Sequence, residues 1–235
     1  MNNWFVKIVN DINRILVPIG CFGCNAYLRK GERTLCTVCR NQIPLTEQNF
    51  HKENSFDRIF YGRVVIKKAV SFLFFTHNGI VKNLIHNLKY KNQEQIGDFL
   101  GDWCGTLLKN DPILQKIDLV VPVPLHKKKL NKRGYNQVSN FAKQVATHLN
   151  IKYEENALIK TRNTKTQTKK NRFLRWQNNQ NLFQLNNEIT VQNKNILIVD
   201  DVVTTGATLE ACANAFKTEN SVTIYFLTMA MVEKT

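Results

Sequence analysis

The chain has 235 residues, 43% of them hydrophobic and 10% aromatic, with only 10 Gly and 5 Pro; this excludes collagenous, low-complexity and wholly disordered classes. Lys and Arg number 33 against 18 Asp and Glu, and the net charge of +15 points to polyanions: nucleic acid, phosphorylated small molecules or an anionic membrane face. No apolar run approaches the roughly 18–20 residues of a membrane span, and the N-terminal stretch, broken by Lys7, Asp11 and Arg14, lacks a leader's apolar segment, so a cytoplasmic protein is expected.

Trp4, Phe5, Ile8, Val9, Ile12, Ile15 and Leu16 recur at helical spacing, so residues 1–17 are expected to form an amphipathic helix ended by Pro18 and Gly20. A cysteine-bearing module follows over 21–43, and the polar run after Pro44 reads as a linker. The expected division is 1–45 for helix and module, 46–58 for the linker and 59–235 for the main domain. Val64–Ile66 and Val70–Phe75 read as β-structure, Asn78-Gly79 as a turn, and Ile80–Lys89 and Gln93–Leu108 as helices. Asp118–Pro124 is a short strand closed by Pro, and Asn136–Leu149 a helix. Lys160–Asn181 is polar and basic, an expected loop with a helical second half. Asn195–Asp200 is a strand, Thr208–Lys217 a helix and Val222–Met229 the last strand. Strands alternating with helices predict an α/β fold with a parallel sheet flanked by helices.

The charge is not spread evenly. Between His126 and Arg175 there are fourteen Lys and Arg and two acids, Glu154 and Glu155, so this segment supplies +12 of the +15. A localised basic surface is expected there, and phosphate is its natural partner.

Cys21, Cys24, Cys36 and Cys39 form C-x2-C-x11-C-x2-C. Each C-x2-C turn aims two thiolates at one ion, and two such turns complete a tetrahedron around zinc. Disulfides and a redox pair are the alternatives; the cytoplasmic expectation disfavours the first, and a redox C-x-x-C would stand alone. A closed four-cysteine zinc knuckle is a scaffold rather than a place for chemistry. Cys104 and Cys212 fall within helical patterns and read as buried small hydrophobes.

The strongest signal is Ile196-Leu-Ile-Val-Asp200-Asp201-Val-Val-Thr204-Thr205-Gly206-Ala207-Thr208. The branched apolar run reads as a central strand buried on both faces. At its carboxyl end, where open α/β sheets bind ligands, stand two carboxylates, then a Thr/Gly turn and a helix. Gly206 lets the backbone approach a ligand, and the free N–H groups of the helix start attract an anion. Asp200 and Asp201 repel phosphate but suit a vicinal diol, or Mg²⁺ through water. A phosphate beside a diol is a ribose 5-phosphate.

This stretch resembles the phosphoribosyl-pyrophosphate (PRPP) signature of type I phosphoribosyltransferases. The resemblance implies that Asp200 and Asp201 hold the ribose hydroxyls and that Thr204, Thr205, Gly206, Ala207 and Thr208 cradle the 5-phosphate, with Mg²⁺ accompanying PRPP. Together with the cysteine module, Leu88-Lys89-Tyr90, Val121-Pro-Val-Pro124, Lys132-Arg-Gly-Tyr-Asn-Gln137, and Thr166-Gln167 followed by Arg175 and Asn178, it resembles the ComF family. These are competence-associated proteins that join a zinc finger to a phosphoribosyltransferase-like domain. The resemblance implies a role in DNA uptake, proteins of the uptake machinery as partners, and a strand-end loop in which Lys127, Lys128, Lys129 and Arg133 meet pyrophosphate or a nucleic-acid backbone. Tyr135 and Trp176 are candidates to stack bases of single-stranded DNA while Arg162, Lys165, Lys169, Lys170, Arg172 and Arg175 follow its phosphates. The alternative is an active phosphoribosyltransferase that moves ribose 5-phosphate from PRPP to a nitrogen acceptor; no acceptor site or catalytic residue is legible in the sequence.

Overall fold

The computed structural model describes residues 20–161, 182–217 and 221–232. Its centre is built of β1 (Lys68–Phe75), β2 (Leu119–Pro122), β3 (Lys152–Tyr153), β6 (Asn195–Val203) and β7 (Thr223–Val232). These five strands are all parallel and lie in the order β1-β7-β6-β2-β3. The inner strands are near-continuous runs of Ile, Leu, Val and Phe because both faces of a parallel sheet are covered. On β6, Leu197 and Val199 enter one core cluster, and Ile196 and Ile198 enter the other.

The first cluster is covered by α3 (Ile80–Tyr90), α4 (Gln95–Leu108), α6 (Ser139–Leu149) and the cysteine module with its short helix α1 (Thr37–Gln42). The second is covered by α2 (Ser55–Arg58), α7 (Ala207–Ala215) and a two-stranded antiparallel hairpin of β4 (Leu158–Lys160) and β5 (Phe183–Leu185). Helix α3 buries Val81, Leu84, Ile85 and Leu88, the stripe its spacing predicts. Helices α4 and α6 touch backbone to backbone: a Cβ on Gly101 would lie 2.6 Å from the Phe141 carbonyl oxygen. Glycine at that crossing sets the distance between the helices.

The polar stretch after Pro44 lies along β1. Phe74 N–H donates to the Pro44 carbonyl at 2.9 Å, Thr46 N–H to the Phe72 carbonyl at 3.1 Å, and Ser71 N–H to Gln48 Oε1 at 3.0 Å. These bonds occupy an edge that would otherwise offer a free row of backbone groups. Cys104 and Cys212 are buried, as their helical spacing predicts, and no helix among the described residues is long and apolar enough to cross a membrane.

Three local expectations are corrected. Val64–Ile66 is irregular rather than a strand: it leaves a turn over residues 59–63, Val64 N–H returns to the Phe60 carbonyl at 3.2 Å, and Lys67 N–H reaches the Ile224 carbonyl of β7 just before β1 begins. The basic run expected as a loop is a helix, α5 (Lys127–Arg133), capped by His126 and ended at Gly134; it buries none of its residues, which is why no apolar stripe announced it. Strand β6 continues past Asp200 to Val203, because pairing with β7 persists to Met231. The helix expected over 1–17, and all but the first two residues of the loop expected from Lys160 to Asn181, lie outside the described residues.

Candidate functional site

Asp200 and Asp201 sit near the carboxyl end of β6, both buried, and alternation along the strand sends their side chains to opposite faces. Both Asp201 oxygens accept hydrogen bonds. Its Oδ1 accepts from Lys89 Nζ of α3 at 2.9 Å and its Oδ2 from the Gln137 amide, while Gln137 itself accepts from the Arg133 guanidinium. Asp200 faces the α7 side, and its Oδ1 accepts the Asp201 N–H at 2.8 Å. Neither Lys89 nor Gln137 is marked by periodicity. Their signal in the sequence is their place in the Leu88-Lys89-Tyr90 and Lys132–Gln137 motifs.

Beyond the carboxylates, Thr204 and Thr205 are exposed and Gly206 is buried at φ 75°. This left-handed conformation costs glycine little, and a Cβ there would lie 2.7 Å from Ile59 Cγ2 and 2.9 Å from the Phe60 ring. Helix α7 then starts at Ala207 with no side-chain cap. Its first N–H groups have no helical acceptor and carry the positive end of the helix dipole. The turn thus combines hydroxyls, unpaired N–H groups and a close backbone approach beside two carboxylates, the requirements of a phosphate next to a diol.

Burial, and then the neighbouring Asp201 charge, push the Asp200 carboxyl up to about 7, against the opposing pull of the Asp201 N–H, Lys89 and Lys160. Between the ordinary value of 3.8 and about 7 the folded protein binds more protons at this group than the unfolded chain does. This contribution to stability is therefore full at low pH and is lost as pH rises through about 7. Asp200→Asn removes the dependence. Thermal melts at pH 5 and pH 8 are expected to show the variant gaining on the parent at the higher pH; a constant difference would contradict the assignment.

Lys127, Lys128 and Lys129 are exposed on α5, which follows β2, the strand next to β6. Arg133 ends that helix with its guanidinium 5.7 Å from the centre of the Tyr90 ring. Tyr135 is half-buried against the first core cluster and its hydroxyl donates to the Leu88 carbonyl. The basic helix, the Lys132–Gln137 motif and α3 therefore meet at the same sheet end as the carboxylates. Lys160, at the end of β4, has its Nζ 4.9 Å from the Phe183 ring, and burial pulls its ammonium down from the ordinary lysine value. Arg162, Lys165, Lys169, Lys170, Arg172, Arg175 and Trp176 lie outside the described residues.

At the other end of α3, the sulfurs of Cys21, Cys24, Cys36 and Cys39 all lie within 4.8 Å of one another. The Cys24 and Cys36 sulfurs are 3.8 Å apart, equal to the edge of about 3.8 Å that a tetrahedron with Zn–S near 2.3 Å requires. Burial raises the Cys21 thiol, but N–H groups of Cys36, Cys24 and Gly23 outweigh it and hold the group down at about 7. Burial and the other three thiols push Cys39 far up. Four thiols this close ionise together only around a cation, so the donor set fits zinc. The module is fixed to the domain: Asn83 of α3 donates to the Gly23 carbonyl at 2.7 Å, and the Arg40 guanidinium lies 5.1 Å from the Trp103 ring of α4.

A parallel five-stranded sheet whose central strand carries paired carboxylates near its carboxyl end and runs into a glycine turn and an uncapped helix, preceded by a module of four clustered cysteines, defines a phosphoribosyltransferase-like domain behind a four-cysteine module. Residues 139–231 match the phosphoribosyl transferase domain family. The chain belongs to the ComF family. It is 32% identical over 224 residues to DNA utilization protein YhgH of Escherichia coli O6:H1, covering 89% of this chain and 96% of that one. It is 27% identical over 200 residues to competence protein ComFC of Bacillus subtilis, covering 82% and 75%. A hypoxanthine phosphoribosyltransferase from Staphylococcus aureus superposes loosely, with a TM-score of 0.36 at 15% identity over 57% of this chain and 62% of that one.

Proposed function

We propose that this protein binds Mg²⁺-PRPP at the carboxyl end of β6 and single-stranded DNA along its basic segment, and that it acts in the cytoplasm in DNA uptake. In this reading Asp200 and Asp201 hold the ribose hydroxyls, Thr204–Thr208 hold the 5-phosphate, and Lys127, Lys128, Lys129 and Arg133 meet pyrophosphate or the DNA backbone. Tyr135 and Trp176 contribute aromatic faces, and Arg162, Lys165, Lys169, Lys170, Arg172 and Arg175 contribute charge. Zinc holds the four cysteines. The observation that carries the reading is the continuous arrangement of two buried carboxylates, Gly206 at φ 75° and the uncapped start of α7 on the central strand. The names of the relatives, a DNA utilization protein and a competence protein, support the DNA role and proteins of the uptake machinery as partners.

The DNA half is tested by salt. Binding driven by counterion release weakens linearly in log salt, by about 0.7 per phosphate contact on a single strand. Changing Lys127, Lys128 and Lys129 together to Ala is expected to flatten the slope by up to about 2 and to weaken binding to every sequence alike. Arg172 and Arg175 changed together to Ala are expected to flatten it by up to about 1.4. Trp176→Ala is expected to weaken binding by roughly 1–3 kcal/mol with the slope unchanged, because stacking releases no ions. Parent-like binding in all three variants would mean that the basic segment serves the small-molecule phosphate or is merely solvated, and the enzyme reading would overtake the DNA one.

The second reading is an active phosphoribosyltransferase. The position of α5 after β2, beside the carboxylates, favours it, since cations there would stabilise departing pyrophosphate while positive charge develops on the ribose. Release of pyrophosphate from PRPP that depends on a nitrogen acceptor would establish it.

A further inference from the structure

The phosphate turn is braced from outside by a residue distant in sequence. Arg63 Nη1 donates to the Thr205 carbonyl at 2.7 Å and to the Ile59 carbonyl at 3.0 Å, while Nη2 pairs with the Glu210 carboxylate on the first turn of α7. The side chains of Arg63 and Glu210 are 34% and 25% exposed, so the pair is only partly screened by water. The segment that carries Arg63 is itself fixed. Buried Asp57 accepts from Lys68 Nζ at 2.5 Å and from Ala69 N–H at 2.8 Å, which ties α2 to β1, and Ile59 and Phe60 pack against Gly206.

Two physical consequences follow. The carbonyl of Thr205 and the N–H of Gly206 belong to one planar trans peptide and point in opposite directions. Holding the carbonyl on Arg63 therefore fixes the N–H of Gly206 on the side away from Arg63, and keeps a carbonyl dipole from turning in toward a bound anion. The second consequence is charge: Glu210 suits the positive end of a helix but repels a phosphate placed there. A guanidinium on Glu210 offsets that repulsion, and its planar fork reaches the carbonyl through one nitrogen and the carboxylate through another, a span the single nitrogen of an ammonium does not reproduce.

We propose that Arg63 is a positioning residue of the ligand site, which keeps the Thr204–Thr208 turn ready for a phosphate monoester before the ligand arrives. The inference rests on the reading of this turn as the 5-phosphate cradle. It singles out one part of the ligand: the brace acts on the 5-phosphate and leaves the pyrophosphate contacts alone.

The test compares ribose 5-phosphate and inorganic pyrophosphate, each with Mg²⁺, by calorimetry on the full chain. Arg63→Gln is expected to weaken ribose 5-phosphate at least tenfold and to leave pyrophosphate within twofold of the parent. Adding Glu210→Gln removes the unneutralised charge and is expected to recover part of the loss. Arg63→Lys, a milder change read beside it, keeps the charge but not the fork, so ribose 5-phosphate weakens less, and pyrophosphate again is unmoved. Ribose 5-phosphate within twofold of the parent in both Arg63 variants, or equal losses for the two ligands, would overturn the assignment. A parent protein that binds pyrophosphate but not ribose 5-phosphate would overturn the cradle itself, and this inference with it.

Discussion

Asp200→Asn combined with Asp201→Asn is expected to lower Mg²⁺-PRPP affinity by ~10²–10⁴-fold with the sheet intact. The estimate takes two hydrogen bonds to charged acceptors at roughly 1.5–3 kcal/mol each, converted at about 1.4 kcal/mol per decade. Asn keeps the shape of both side chains. At position 200 it also replaces a buried carboxyl that the fold already holds up at about 7, so folding loses nothing there. At position 201 the Lys89 ammonium loses its partner, and its side chain is 21% exposed, so water can take over part of its solvation. Circular dichroism checks the fold and calorimetry the binding; undiminished affinity in a folded double variant would contradict the site.

The second large effect is expected at the four cysteines. The parent should purify with about one zinc per chain, and Cys36→Ser or Cys21→Ser should release it. Cys21, Leu35 and Cys39 belong to the same core cluster as Leu84 and Leu100, so loosening the knuckle uncovers part of the main core. Even ~3 kcal/mol of the zinc-binding free energy corresponds to a Tm fall of roughly 6–12 °C for a protein of this size. Metal analysis of freshly prepared reduced protein and thermal melts check both halves. A zinc-free parent, or variants that melt like it, would contradict the assignment.

What was legible in the sequence was what is encoded locally. The β6–turn–α7 unit could be read because strand, carboxylates, glycine and helix follow one another within a few residues, and the knuckle could be read from its ligand spacing. Helix α3 was legible for the same reason, since its apolar stripe repeats every turn. Contacts that span the chain were not. Lys89 and Asp201 are 112 positions apart, and Arg63 and Thr205 are 142 apart, so nothing near either member announces the pair. Helix α5 escaped for another reason: a helix with every residue at the surface carries no stripe, and only its cap at His126 and stop at Gly134 mark it. Val64–Ile66 shows the converse, β-branched residues that stay outside the sheet because Val64 N–H closes back on the Phe60 carbonyl at the end of the preceding turn.

The central claim is that a phosphorylated ribose sits on the start of α7. Amide hydrogen exchange in the presence and absence of saturating Mg²⁺-PRPP tests it most directly. The account predicts protection concentrated at the amides of Thr204–Thr208, where N–H groups at the start of α7 that have no helical acceptor gain phosphate oxygens, and loss of that protection in the Asp200→Asn, Asp201→Asn variant. Saturation with PRPP that leaves exchange in this turn unchanged, or protects some other surface instead, would contradict it.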